Sequence, residues 1–156
     1  MRLRVVAIGQ RMPAWVQQGW KEYAGRMPRN LPLELREIPA GRRTRQADVG
    51  AIRERECAAL IDAAAAPGPV VVLDETGLQW TTADLSRQLA DWMQFGDDIH
   101  FLIGGPDGLN QETRDRADRV WSLGKLTLPH PMVRLILAEQ IYRAWTILQN
   151  HPYHRA

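Results

Sequence analysis

Side chains that can move protons or bind phosphate are concentrated near the end of the chain. His130 and Arg134 stand where the last apolar segment begins, and the chain ends in His151-Pro152-Tyr153-His154-Arg155-Ala156. Imidazole, phenol and guanidinium groups can exchange protons, stack on nucleic-acid bases or pair with phosphates. Chain ends usually fray, and a disordered tail is the alternative, but this composition favours a tail that belongs to a site.

Glu139 and Arg143 are four residues apart within the same apolar segment. That spacing places both side chains on one face of a helix, where an ion pair is expected. Such a pair could take part in catalysis or could hold a subunit interface together. The sequence favours neither of these roles.

Several common catalytic and cofactor motifs are missing from the sequence. Gly104-Gly105-Pro106-Asp107-Gly108 differs from the dinucleotide fingerprint, and position 119 is Arg where a P-loop ending at Gly124-Lys125 needs Gly. No G-x-S-x-G elbow is present. His151 and His154 have a metal-like spacing, but the chain has two further histidines and one cysteine, so a metal site is disfavoured. Cys57 is expected to be a buried, inert thiol.

Glycine and proline end three segments of the C-terminal half. An apolar run to Ile103 stops at Gly104-Gly105-Pro106, a second run stops at Gly124, and a loop ends at Pro129-His130-Pro131. Sharp turns leave backbone N–H and C=O groups free to face a ligand. Ligands of α/β proteins bind beyond the carboxyl ends of the strands. These loops therefore predict one pocket for an adenosine-containing small molecule.

The elements that position these loops alternate between strand and helix. Short β-branched runs indicate buried strands, and apolar residues three or four apart indicate helices. The order predicts an α/β fold, with a mostly parallel sheet covered by helices on both faces. The predicted strands are Leu3–Ile8, Leu33–Ile38, Val70–Leu73, Ile99–Ile103 and Val120–Leu123; the predicted helices are 13–27, Ala47–Ala66, a segment from a Thr82 cap to Gly96, a short polar link, and Met132 to about Gln149.

The last predicted helix is apolar nearly all round, from Val133 to Leu148. A helix of that kind is buried on most sides. Because the chain is small, we expect a second copy to supply the missing cover, which predicts a homodimer.

The length of 156 residues fits one domain, 1–156, and 45% apolar residues allow a substantial core. No apolar run is long enough to cross a membrane, the first residues resemble a strand rather than a signal peptide, and a single cysteine fits a reducing, cytoplasmic setting. Residues 1–50 hold ten Lys or Arg against four Asp or Glu. The loop at 39–45 contains Arg42, Arg43 and Arg45, which could contact phosphate or could form a mobile basic loop.

Long motifs resemble one known family over essentially the whole chain. Phe101–Leu109 is F-L-I-G-G-P-D-G-L, and Trp121–Arg134 is W-S-L-G-K-L-T-L-P-H-P-M-V-R. L-A-E-Q-I-Y-R-A-W, the terminal H-P-Y-H-R, L-R-V-V-A-I-G, I-P-A-G-R-R and V-V-V-L-D agree as well. The chain thus resembles the ribosomal RNA large-subunit methyltransferase H family, SPOUT-class enzymes that methylate N3 of a pseudouridine in 23S rRNA. Asp107 stands where Glu is common in that family.

The resemblance implies a C-terminal trefoil knot, a rare exception to unknotted chains, with S-adenosylmethionine bound in it mainly by backbone groups. It also implies a homodimer that acts on assembled ribosomes, with the tail of one subunit in the pocket of the other. The cofactor contacts it implies are Leu73, Gly104, Leu123, Gly124, Lys125, Leu126, Thr127 and Leu128.

Methylation of an imide nitrogen requires loss of its proton, so a general base or a group that stabilises the anion is expected. The candidate bases are His130, Tyr153 and His154, and the candidate phosphate or anion contacts are Arg134, Arg143 and Arg155. The residues do not distinguish among them. Two alternatives stay open: a non-catalytic ribosome-binding factor that keeps the fold, and a tRNA methyltransferase of the same fold.

Overall fold

The computed structural model describes residues 1–155 and has one five-stranded parallel sheet, in the order β2-β1-β4-β3-β5. Helices cover both faces, so the predicted α/β class is confirmed. The strands are β1 (Leu3–Ile8), β2 (Leu33–Ile38), β3 (Val70–Gln79), β4 (Ile99–Ile103) and β5 (Arg119–Ser122). The helices are α1 (Ala14–Ala24), α2 (Val49–Ala63), α3 (Thr82–Phe95), α4 (Gln111–Arg116), α5 (His130–Leu148) and a 3₁₀ turn at Pro152–His154.

Alternation along the strands divides the core into two apolar layers. On β1, Val5 packs in the layer shared with α1, α3 and α5, whereas Val6 packs in the layer shared with α2. On β4, Phe101 and Leu102 divide in the same way. Both faces of the sheet are therefore buried at β1 and β4, which explains why these two strands are continuous apolar runs rather than alternating ones.

The register brings the carboxyl ends of β1, β2 and β4 level with one another and with Leu73 of β3, where that strand becomes irregular. Ile8 of β1 is level with Ile38 of β2, and Ile103 of β4 is level with Ala7 of β1 and Leu73 of β3. The N–H of Gly9 also donates to the carbonyl of Ile38 at 2.7 Å. The loops that follow these strands consequently leave the sheet side by side.

Strand β3 is longer than the sequence predicted. It continues past Leu73 through an irregularity, and Leu78 pairs with Trp121 of β5. A Cβ on Gly77 would lie 2.5 Å from the carbonyl oxygen of Val120, so this extension requires glycine there. The expected loop at 74–77 is therefore a bulged part of the strand.

Helix ends differ from the prediction by one to three residues, and the cap of α3 is Thr81 rather than Thr82. Thr81 Oγ accepts from the N–H of Asp84 at 3.0 Å, and Asp84 accepts from the N–H of Thr81 at 2.8 Å. Thr82 instead donates to the Gln140 side chain of α5 at 2.7 Å. Within residues 1–155, no helix is long and apolar enough to cross a membrane.

Replacing Thr81 by Ala should lower the free energy of unfolding by about 1 kcal/mol, because the first turn of α3 loses its reciprocal cap. Thr81→Ser keeps the hydroxyl and should stay close to the unaltered chain. Urea unfolding at a fixed protein concentration measures both. Equal stabilities for the Ala and Ser variants would show that this cap does not stabilise α3.

Candidate active site

A cavity of about 770 Å³ opens at the carboxyl edge of the sheet. Its walls are the bulged part of β3 at residues 73–76, the loops that follow β4 and β5, and the first turn of α5. The predicted contacts that line it are Leu73, Gly104, Leu123, Gly124, Leu126, Thr127 and Leu128. Lys125 is exposed and is not among the lining residues. The volume lies within the ~300–1,000 Å³ usual for small-molecule pockets.

The wall formed by residues 123–128 presents backbone to the cavity. Within residues 1–155, none of the N–H groups of residues 125–128 donates to another backbone carbonyl. The turn before them is held by Ser122, whose hydroxyl donates to the carbonyl of Gly124 at 2.9 Å. Gly124 has a φ of 151°, and a Cβ there would meet nothing within 4 Å. This wall can therefore supply donors and acceptors to a planar, edge-on ligand.

Asp74 and Arg114 join two of the cavity loops. Arg114 donates to Asp74 Oδ2 at 3.2 Å and to the carbonyl of Leu109 at 2.7 Å. Burial raises the pKa of Asp74, but the hydrogen bonds from Thr76 and the charge of Arg114 outweigh burial, so the net pKa lies below its ordinary value. Asp74 is thus a fixed negative charge on the β3 side of the cavity, with exposed Glu75 beside it.

Arg43 and Glu56 form a buried ion pair beneath the opposite wall. Arg43 donates to both carboxylate oxygens of Glu56, at 2.9 and 2.7 Å, and its Nε donates to Asp107 at 2.7 Å. Glu56 is 5% exposed, and its carboxylate also accepts from the N–H of Gly41 at 2.8 Å. The mobile-loop alternative is therefore wrong for Arg43, and the same contacts leave it unavailable to phosphate.

The sequence analysis missed Glu56, although its position carried a signal. Ile52, Glu56 and Leu60 lie on one stripe of α2, and all three are buried. A carboxylate on an otherwise apolar stripe requires a buried partner. That partner is Arg43, thirteen residues earlier in the sequence.

His130 lines the cavity at the start of α5. A Cβ on Gly9 would lie 3.4 Å from His130 Nε2, so glycine after β1 makes room for this ring. Burial lowers the pKa of His130, and the positive charges of Arg134 and Arg43 lower it further, with partial opposition from Glu56. The imidazole is therefore neutral at neutral pH and can accept a proton.

Arg134 is buried and does not line the cavity. Its guanidinium donates to the carbonyl of Gly9 at 2.7 Å and to Glu37 at 2.6 Å. These bonds attach the first turns of α5 to the ends of β1 and β2. The geometry places Arg134 as a support for His130 rather than as an anion contact.

The predicted Glu139–Arg143 pair is present, and Glu139 also binds the tail. Arg143 Nε donates to Glu139 at 2.8 Å, and the Tyr153 hydroxyl donates to the same carboxylate at 3.1 Å. The ring of Tyr153 packs edge-on against Tyr142, with centroids 4.7 Å apart. Burial, the neighbouring Tyr23 and the charge of Glu139 raise the pKa of Tyr153, so its phenol stays protonated.

The tail and the cavity of one chain lie at opposite ends of α5. At 1.5 Å per residue, Tyr142 is about 18 Å along the helix from His130. His154 is half-buried and Arg155 is exposed. None of the four predicted residues at this end lines the cavity; they are Arg143, Tyr153, His154 and Arg155. The family resemblance implies that these residues act in the cavity of a second chain, and that arrangement stays a prediction.

Among the described residues 1–155, no three His, Cys, Asp or Glu side chains come together to hold a metal ion. Cys57 is buried, and its sulfur accepts from the N–H of Asn110 at 3.4 Å. The thiol of Cys57 is therefore a packed group of α2, and Cys57 is not among the residues that line the cavity.

The fold and cavity match a class of known proteins. The family described as "Predicted SPOUT methyltransferase" matches residues 1–154. Two solved structures share the fold: a probable methylase family protein from Haemophilus influenzae (10% identity, TM-score 0.61, 99% of this chain and 70% of that one) and a putative RNA methyltransferase from Bacillus anthracis (16% identity, TM-score 0.51, 97% and 96%).

Full-length relatives define the family more narrowly. The chain is 53% identical to a protein from Thioalkalivibrio sulfidiphilus and 50% identical to one from Hahella chejuensis, over 99% of every chain. Both are named ribosomal RNA large subunit methyltransferase H. The chain therefore belongs to this family of SPOUT methyltransferases, and it is an enzyme.

In an NMR titration, His130 should lose its proton below the ordinary histidine value of 6.5. The pKa of His130 is lower in the folded chain than in the unfolded chain, so the unfolded chain binds the proton first as the pH falls. Protonation of His130 should therefore lower the free energy of unfolding as the pH falls through 6.5. This loss should level off below the folded pKa and should be missing from His130→Gln.

Arg43→Gln should raise the pKa of His130, since it removes a positive charge and leaves Glu56 in place. Arg42→Gln changes an exposed neighbour and serves as the matched control. A His130 resonance that titrates at or above 6.5 in the unaltered chain would contradict this account of its surroundings.

Proposed function

We propose that the protein uses S-adenosylmethionine to methylate N3 of a pseudouridine in 23S ribosomal RNA on the assembled ribosome. It would do so in the cytoplasm, as a homodimer of one-domain chains with the C-terminal half threaded as a trefoil knot. The observation that carries the proposal is the cavity, because the peptide groups of residues 125–128 in its wall have no backbone partner within the described residues and the chain that forms it matches the family over residues 1–154.

The cavity has the features that S-adenosylmethionine needs. The unpaired backbone groups of 125–128 suit the adenine edge, which has both donors and acceptors. The exposed carboxylate of Glu75 and the ionised Asp74 suit the hydroxyl and ammonium groups of the ligand. Gly104 and Gly124, which line the cavity, add no side chain to its wall. When bound, the sulfonium supplies an already activated methyl group, so the protein needs no covalent intermediate.

The protein's own residues must orient the acceptor and remove its proton. His130 is the candidate base that lies in the cavity wall, and its neutral imidazole can accept the N3 proton. Tyr153 keeps its proton and would therefore act by stacking or by donating a hydrogen bond.

A second chain would complete the site. The tail of one chain lies about 18 Å along α5 from its own cavity, so it would have to act on a partner's cavity. The surface of α5 agrees with this arrangement, because its apolar residues Ile136 and Ile147 remain partly exposed in the single chain. Burial of these residues between two copies would stabilise a dimer.

Purified protein should transfer label from S-adenosylmethionine to assembled ribosomes, and not to protein-free 23S RNA or bulk tRNA. Deletion of 153–156 should abolish transfer and leave binding of S-adenosylhomocysteine, measured by calorimetry, within about twofold, because the tail is absent from the cavity wall. A folded protein that labels none of these RNAs would refute the proposal. Label on tRNA alone would favour the tRNA enzyme of the same fold.

Two inactive variants should restore activity when they share a dimer. The 153–156 deletion keeps its cavity, whereas Gly124→Val keeps its tail but places a side chain at a φ of 151° in the cavity wall. After co-expression, about a quarter of the wild-type activity should return, from heterodimers with one complete site. Continued inactivity of the mixture, with heterodimers present, would show that the tail acts within its own chain.

A further inference from the structure

The arginine loop at 39–46 lies directly beside the cavity. It follows β2, which is level with β1, and the loop after β1 meets the first turn of α5 at Gly9. Arg43 of this loop binds Asp107, a residue of the cavity wall, at 2.7 Å. The loop is therefore fixed to the rim of the cavity on the β1 and β2 side.

Arg43 fixes the loop from inside. It pairs with Glu56 and donates to the carbonyl of Gly41 at 3.0 Å, and Glu56 accepts from the N–H of Gly41. A Cβ on Gly105 would lie 3.1 Å from Glu56 Oε1, so the same pair also underlies the loop after β4. The two loops share one buried support.

The arginines on either side of Arg43 remain available. Arg42 and Arg45 are exposed, and neither has an acidic partner within 4.0 Å in residues 1–155. Three of the acids around them are paired, Glu56 and Asp107 with Arg43 and Glu37 with Arg134, while Asp48 caps α2 by accepting from the N–H of Ala51. The outer surface of this loop is therefore a net positive surface on a fixed backbone.

Arg11, after β1, adds a third exposed cation near the same rim. Its φ of 57° is a left-handed conformation that costs free energy for any residue other than glycine. Such strain is retained mainly where a loop has a functional conformation. No ion pair of Arg11 occurs within the described chain.

The charges thus differ between the two sides of the cavity. On the β3 side, Asp74 is paired with Arg114 and exposed Glu75 lies near exposed Lys125, whereas Arg11, Arg42 and Arg45 stand on the β1 and β2 side. Phosphate groups are therefore attracted to the second side more than to the first. An RNA strand that approaches the cavity would therefore be oriented by this difference.

We propose that Arg11, Arg42 and Arg45 form a phosphate-binding rim that receives the backbone of the RNA substrate. This inference rests on the proposed function, because it assigns the direction from which the RNA enters that cavity. Arg43 is a positioning residue that presents the rim and does not touch phosphate. Contacts to phosphate position a nucleic acid without reading its sequence, so the rim would hold the substrate while the cavity selects the base.

The test compares Arg42→Ala/Arg45→Ala with Arg2→Ala/Arg29→Ala, which removes two arginines at the amino edge of the sheet. Affinity for assembled ribosomes and for a protein-free RNA hairpin is measured from 50 to 200 mM salt. The rim variant should bind both on the order of tenfold more weakly, and its log–log salt slope should be shallower by about 1.5–2. Arg11→Gly, which removes the charge and relieves the strain, should weaken binding in the same direction.

The control variant should retain wild-type affinity, and every variant should bind S-adenosylhomocysteine normally. Unchanged affinity and salt slope for the rim variant, with methyl transfer by the wild type intact, would overturn the rim and leave the proposed function standing. A loss on ribosomes but not on the hairpin would instead indicate an acidic protein partner and would also overturn it. No transfer by the wild type would refute the proposed function itself.

Discussion

Parallel strands that end at one level impose a demand on every loop that follows them. Their last N–H and C=O groups have no strand to pair with, so each loop must turn, cap or bind something. Gly9 meets this demand by donating to Ile38. At 125–128, by contrast, the N–H groups donate to no other backbone group within the described residues, and this segment lines the cavity. The chemistry of the site depends on this unpaired backbone more than on any single side chain.

Two buried guanidinium groups hold the loops around that unpaired backbone. Arg134 attaches α5 to the ends of β1 and β2, and Arg43 attaches the loop after β2 to α2 and to the loop after β4. Each donates to carbonyl and carboxylate oxygens at once, which suits the planar fork of arginine and not the single charge of lysine. Burial lowers the pKa of His130, and the positive charges of these two arginines lower it further, so the supports of the site help to set its proton chemistry.

The sequence predicted the structure correctly where neighbouring residues in the chain determine it. The bounds of β1 and β4 follow from short apolar runs ended by Gly, and those of β2 follow from alternating apolar and charged residues ended by Pro39; the structure has the same bounds. It was insufficient where a partner distant in sequence decides the outcome. The extension of β3 depends on pairing with β5, and Glu56 is tolerated in the core only because Arg43 reaches it. The place of the tail residues in a site depends on a second chain, so it stays a prediction.

A wall of main chain has an evolutionary consequence. Every residue except proline offers the same N–H and C=O, so a substitution at 125–128 would leave these peptide groups in place. Leu126, with 78% of its surface exposed, shows how little its own side chain contributes to the packing. An inhibitor that bonded to these peptide groups would meet few point mutations able to confer resistance. Escape would require proline or a change in the path of the loop, and either change would also damage the pocket.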